Sequence, residues 1–188
     1  MRLQDLKIKI FADGADLDGM LSVYREGLIR GLTTNPTLMR KAGITDYAGF
    51  AKQVLAQIQD LPISFEVFTD DFALMEKEAR LIASWGPNVY VKIPVTDVHG
   101  KPSTELVRRL AADGVPLNVT ALLTLEQVAE VVGALKAGVP SIVSVFAGRI
   151  ADTGRDPAPL MAQALGLCRA KAGCELLWAS TRELYNIF

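Results

Sequence analysis

Lys92 stands inside VYVKIPVT, residues 89–96, a stretch otherwise apolar and β-branched. Such a run reads as a short buried strand. An ammonium buried among apolar groups is costly unless it is paired. Lys92 is therefore expected to be paired, to be held partly neutral for chemistry, or to snorkel from the strand end to solvent. Neutral lysine is a carbonyl nucleophile. On a ketose it would form an imine, an electron sink that lets a nearby base remove the adjacent hydroxyl proton, break the carbon–carbon bond and leave an enamine. Tyr90, Val91 and Ile93 are expected to form apolar walls around the amine.

Polar residues recur at one parity on the other strand-like segments. Thr33 and Asn35 are two apart, as are Ser64 and Glu66, and Asn118 and Thr120. Ser144 precedes Phe146 by two, Ser180 and Arg182 follow Trp178, and Asp13 ends the first segment, where it is a candidate base. Residues two apart on a strand share a face, so the set would line one side of a sheet. Any single polar pair at a strand end also reads as a helix cap or turn. Arginine forks suit phosphate, and Arg149 and Arg182 supply two, although each alone also reads as a surface arginine.

The elements that must hold these residues alternate between strand and helix, which argues for βα units and a parallel sheet. Strands are expected at 7–13, 31–36, 63–68 and 89–96, with later ones opening near 117, 141 and 174. Leu17, Met20, Leu21, Tyr24 and Leu28 predict the first helix. A second follows from Thr45 as N-cap, a third spans 71–85 and a fourth 103–112. Thr124 with Gln127 predicts a capping box for the fifth, and Asp156-Pro157 starts the sixth. Gly114, Gly138 and Gly173 suit left-handed caps where helix turns into strand. The first turn, ADGADLDG, lacks GxGxxG, so an α/β barrel of the (β/α)8 TIM type fits better than an open doubly wound sheet.

With 188 residues, half of them hydrophobic, one domain spanning 1–188 is expected. Twenty basic residues balance 21 acidic ones with no basic stripe, which argues against nucleic acid or an anionic membrane as partner and for a small molecule. No signal-like apolar stretch opens the chain and no run is long enough for a membrane span, so a cytoplasmic location is expected. His99, the single histidine, reads as a surface-loop residue and argues against a His-rich metal site. Cys168 and Cys174 read as free thiols.

The segments FADGAD, TTNPT, SFEV, VKIPVT, NVTALLT, SVFAGRI and ASTRE, in this order over nearly the whole chain, resemble the transaldolase family, in its small-subunit branch shared with fructose-6-phosphate aldolase. The resemblance implies a (β/α)8 barrel that needs no metal or cofactor, with Lys92 as the Schiff-base residue. It implies that Asp13 handles the proton beside the cleaved bond, and that Glu66 and Thr120 hold a proton-shuttling water. Thr33, Asn35, Asn118 and Ser144 would bind the dihydroxyacetone unit; Arg149, Ser180 and Arg182 would bind phosphate. The family's eighth strand and C-terminal helix have no counterpart after Phe188, which would leave strands one and seven as open edges, with a tail, a loop or another chain expected to fill the gap. A homo-oligomer, pentameric or decameric, is implied by the resemblance. So is transfer of dihydroxyacetone between sugar phosphates, because the aldolase branch carries Tyr and Gln where Phe146 and Glu66 stand, and a phenol can orient a water that a phenyl ring cannot. Aldolase-type cleavage and a non-catalytic sugar-phosphate-binding barrel are the alternatives.

Overall fold

The computed structural model describes residues 5–187. Seven strands run in chain order through one sheet and every pairing is parallel: β1 Phe11–Asp13, β2 Gly31–Thr33, β3 Ile63–Glu66, β4 Val89–Pro94, β5 Leu117–Leu122, β6 Ser141–Val145 and β7 Cys174–Trp178. Helices fill each crossover: α1 Leu17–Arg25, α2 Pro36–Lys41, α3 Tyr47–Gln57, α4 Phe72–Ala83, α5 Thr104–Ala112, α6 Leu125–Ala134, α7 Ala147–Asp152 and α8 Ala158–Arg169. The sheet curls into a half-barrel. Lys9, just ahead of β1, donates to the Glu175 carboxylate on β7 at 2.6 Å. Among the described residues this is the architecture of a (β/α)8 TIM barrel without its eighth strand and last helix.

Strand β4 shows how the layers divide. Val89, Val91 and Ile93 are fully buried, while Tyr90, Lys92 and Pro94 alternate with them and are only partly covered. The buried set joins Met75, Ala79 and Ile82 of α4 and Leu106, Val107 and Leu110 of α5 in the core between sheet and helices. Lys92 therefore faces the barrel interior. Val91 and Ile93 point away from it, so the expected apolar walls are not what surrounds the amine.

Several local expectations hold. Gly114, Gly138 and Gly173 have φ of +82°, +85° and +83°. Both halves of the Thr124–Gln127 capping box are present, and Asp156 accepts from the Ala158 N–H at 2.9 Å. His99 is exposed, and both cysteines are free, Cys168 buried and Cys174 partly so. No helix among the described residues is long and apolar enough to cross a membrane. Residues 1–4, on which the N-terminal leader reading partly falls, lie outside the described residues.

Other boundaries differ. Helix α1 ends at Arg25 because Gly27 turns the chain with φ +70°, leaving Leu28 outside the helix and 40% exposed. Asp46, not Thr45, caps α3. The second strand stops at Thr33 because Asn35 caps α2, accepting the Leu38 N–H at 3.0 Å, with Pro36 preorganised for the first helical position. Strand β7 stops at Trp178, which pairs with Val145 on the helix-facing side. Ser180 then takes φ +59°, so the alternation expected to carry Ser180 and Arg182 inward is broken and both lie in the following loop. Helices α2 and α7 were not expected at all.

Candidate active site

Direct partners in a parallel sheet point to the same side, so the register fixes who shares the interior. Asp13, Thr33 and Ser64 form one row across β1, β2 and β3. Glu66, Lys92 and Asn118 form another across β3, β4 and β5, with Pro94 and Thr120 beyond it. Residues drawn from five successive strands thus meet near the C-terminal ends of the sheet.

Lys92 Nζ lies 3.2 Å from Glu66 Oε2, with side chains 11% and 18% exposed. The ammonium also donates to the Thr34 carbonyl at 3.4 Å. Burial pushes the Glu66 carboxyl above its ordinary value; the Lys92 charge and hydrogen bond pull it down, the Asp13 charge adds to the rise, and the outcome is a raised pKa. Thr33 donates its hydroxyl to Asp13 Oδ1 at 2.8 Å, which orients that carboxylate. Beside the lysine runs a buried chain through its register partner Asn118: Ser144 Oγ donates to Asn118 Oδ1 at 2.7 Å, and Asn118 Nδ2 donates to Ser64 Oγ at 2.9 Å. These bonds assign the amide orientation and hold three strands in register. The Thr120 hydroxyl is buried and has no partner among the described residues.

The end of β3 is braced from outside. Tyr47 donates its hydroxyl to the Glu66 carbonyl at 3.1 Å, and its ring packs edge-on against Phe65, Phe68 and Trp85. Burial drives the Tyr47 phenol well above its usual range, which keeps it a donor.

A second cluster joins α7 to the loop after β7. The Arg149 guanidinium sits 4.7 Å over the Phe146 ring. Arg182 grips Asp152 with Nε to Oδ1 at 2.9 Å and Nη2 to Oδ2 at 2.5 Å, and donates Nη1 to the Ser180 carbonyl at 2.7 Å. The Arg182 fork holds the Asp152 carboxyl below its ordinary value. The approach of α7 to this loop requires glycine, since a Cβ on Gly148 would stand 1.7 Å from the Ser180 oxygen.

Of the residues singled out in the sequence, Asp13, Thr33, Glu66, Lys92, Asn118, Thr120 and Ser144 meet on the inner face. Asn35 lies just beyond it with its oxygen committed to the α2 cap. Phe146, Arg149, Ser180 and Arg182 gather in the second cluster, where Arg182 is already engaged. The sequence reading missed Thr34, Tyr47 and Asp152. The spacing of Asp152 three residues after Arg149 would have signalled one helix face had α7 been recognised.

Residues 10–188 match the family described as Transaldolase/Fructose-6-phosphate aldolase. The chain belongs to that family. It is 39% identical over 149 residues to a protein named Probable transaldolase from Dehalococcoides mccartyi, covering 79% of this chain and 65% of that one. It is 36% identical over 163 residues to a Probable transaldolase from Roseiflexus castenholzii, covering 87% and 71%. The chain thus spans 65% of the length of the first such relatives. Dihydrodipicolinate synthase from Rhodopseudomonas palustris shares the fold, with a TM-score of 0.56 at 15% identity over 90% of this chain and 65% of that one.

Proposed function

We propose that this transaldolase-family chain performs Schiff-base aldol chemistry at Lys92, transferring a dihydroxyacetone unit between sugar phosphates, with sedoheptulose 7-phosphate or fructose 6-phosphate as donor and glyceraldehyde 3-phosphate or erythrose 4-phosphate as acceptor. The observation that carries this reading is the Lys92–Glu66 pair at 3.2 Å, in the row beside the Thr33-oriented Asp13. In this reading Lys92 gives its proton to Glu66, a carboxyl whose raised pKa suits it to hold one, and the free amine attacks the ketose carbonyl. The carbinolamine takes a proton back and loses water to give the imine. Asp13 accepts the proton of the hydroxyl beside the bond to be cut, the aldehyde leaves, and the electron pair settles as an enamine on Lys92. An acceptor aldehyde then reverses these steps. Thr120 is assigned to the proton path, Asn35, Asn118 and Ser144 to the dihydroxyacetone hydroxyls, and Arg149, Ser180 and Arg182 to the phosphate. The names of the relatives support transfer, as do Phe146 and Glu66, which stand where the aldolase branch carries Tyr and Gln.

Borohydride reduction in the presence of fructose 6-phosphate tests it. The Lys92 peptide should gain the mass of the reduced ligand; an unmodified peptide at saturating ligand would sink the catalytic reading and leave a sugar-phosphate-binding barrel. Equal release of free dihydroxyacetone with and without acceptor would move the assignment to an aldolase.

A further inference from the structure

Arg182 offers its fork to a partner it already has. Its Nε and Nη2 edge, which matches a carboxylate or a phosphate bidentately, is filled by Asp152 at 2.9 Å and 2.5 Å. Nη1 is drawn back to the Ser180 carbonyl at 2.7 Å. The guanidinium of Arg149, three residues before Asp152 on α7, makes no hydrogen bond or ion pair among the described residues and rests on the Phe146 ring at 4.7 Å. Two arginines and one aspartate leave this cluster a single net positive charge. A phosphate monoester near neutral pH carries close to two negative charges, so with Asp152 in place the cluster is undercharged for such a ligand. The Asp152–Arg182 pair is also half exposed, at 51% and 43%, and an exposed ion pair holds weakly enough to open.

We infer that Asp152 is a built-in competitor for anions at this cluster: its carboxylate occupies the edge of Arg182 that a phosphorylated ligand would take, and such a ligand gains the fork only by displacing it. The inference rests on the proposed reading that Arg149 and Arg182 meet the phosphorylated end of the substrate. Once displaced, Asp152 remains close by as a like charge and continues to oppose the ligand. Its effect is therefore to set anion affinity rather than to create it.

Titration calorimetry with inorganic phosphate, on the full chain at low ionic strength and pH 7, provides the test. Asp152→Asn and Asp152→Ala should each bind phosphate about three- to tenfold tighter than the parent, the size of one nearby charge removed from a solvated site. The gain should shrink as salt is added. Arg182→Gln should weaken binding in every background. Unchanged or weaker phosphate affinity in both Asp152 variants, with unfolding midpoints showing that they are folded, overturns the inference, and so does an absence of phosphate binding in every variant. Borohydride trapping with unphosphorylated dihydroxyacetone reads Lys92 without involving Arg182. Tighter phosphate binding with no trapping would leave Asp152's role standing and remove the catalytic one; trapping with unaltered phosphate affinity would do the reverse.

Discussion

Glu66 carries two opposed influences, burial against the Lys92 ammonium, and burial is the larger. Its folded-state pKa lies above the ordinary 4.5, so between those two values the native chain holds a proton that the unfolded chain has released. The stability tied to this group is full below the ordinary value and is lost as pH rises through the raised one. Urea unfolding across that window should show the parent losing up to about 1.4 kcal/mol per pH unit relative to Glu66→Gln, and parallel profiles would show that the carboxyl is not perturbed. If Glu66 shuttles protons, the same variant should also trap imine about a hundredfold more slowly. Much of this inner site was legible in the sequence. Period-two alternation decides which face a strand residue takes, and from the sequence alone it places Lys92, Glu66, Asn118 and Ser144 together. What it could not give was the environment of the amine: the adjacent valine and isoleucine look like neighbours in the chain but sit across the sheet, and the nearest groups come from β3 and from the Thr34 carbonyl.

At the scale of elements, Gly148 decides how α7 meets the loop after β7. Replacing a helical glycine by alanine ordinarily stabilises by roughly 0.5–1 kcal/mol. Here the added Cβ would stand 1.7 Å from a backbone oxygen that has no flexible end to move, and overpacking of this kind costs about 1–3 kcal/mol or more. The clash wins, so Gly148→Ala should lower the thermal midpoint by about 2–4 °C for each kcal/mol lost; an equal or higher midpoint would mean that the loop is free to retreat. Helices α4 and α6 were readable because each spans enough turns for its apolar face to repeat and opens on a side-chain cap, Asp71 and Thr124; α5 and α8 were readable from the apolar repeat, with Asp156-Pro157 marking the start of α8. Helices α2 and α7 have six residues each, too few for a period to show. The price of missing them was Asn35 read as a strand residue and Asp152 not read at all.

Across the whole molecule, protection should follow position in the sheet. Strands β4 to β6 are flanked on both sides and their helix-facing residues are fully buried, whereas β1 and β7 end the described sheet and are largely half covered. Hydrogen exchange on the intact chain should be slowest in β4, β5 and β6 and faster by orders of magnitude in β1 and β7; equal protection in β7 and β5 would contradict this gradient. Sheet order is also chain order, and that bears on how the molecule is made. Each strand leaving the ribosome finds the strand it pairs with just completed, so the ribbon can zip from one end as it is synthesised. The contact between Lys9 and Glu175 spans 166 residues, and closing a loop of that length from an unstructured chain would cost about 4–5 kcal/mol from length alone. Stepwise zipping divides that span into short closures, each between strands already next to one another, and leaves the two ends to meet last.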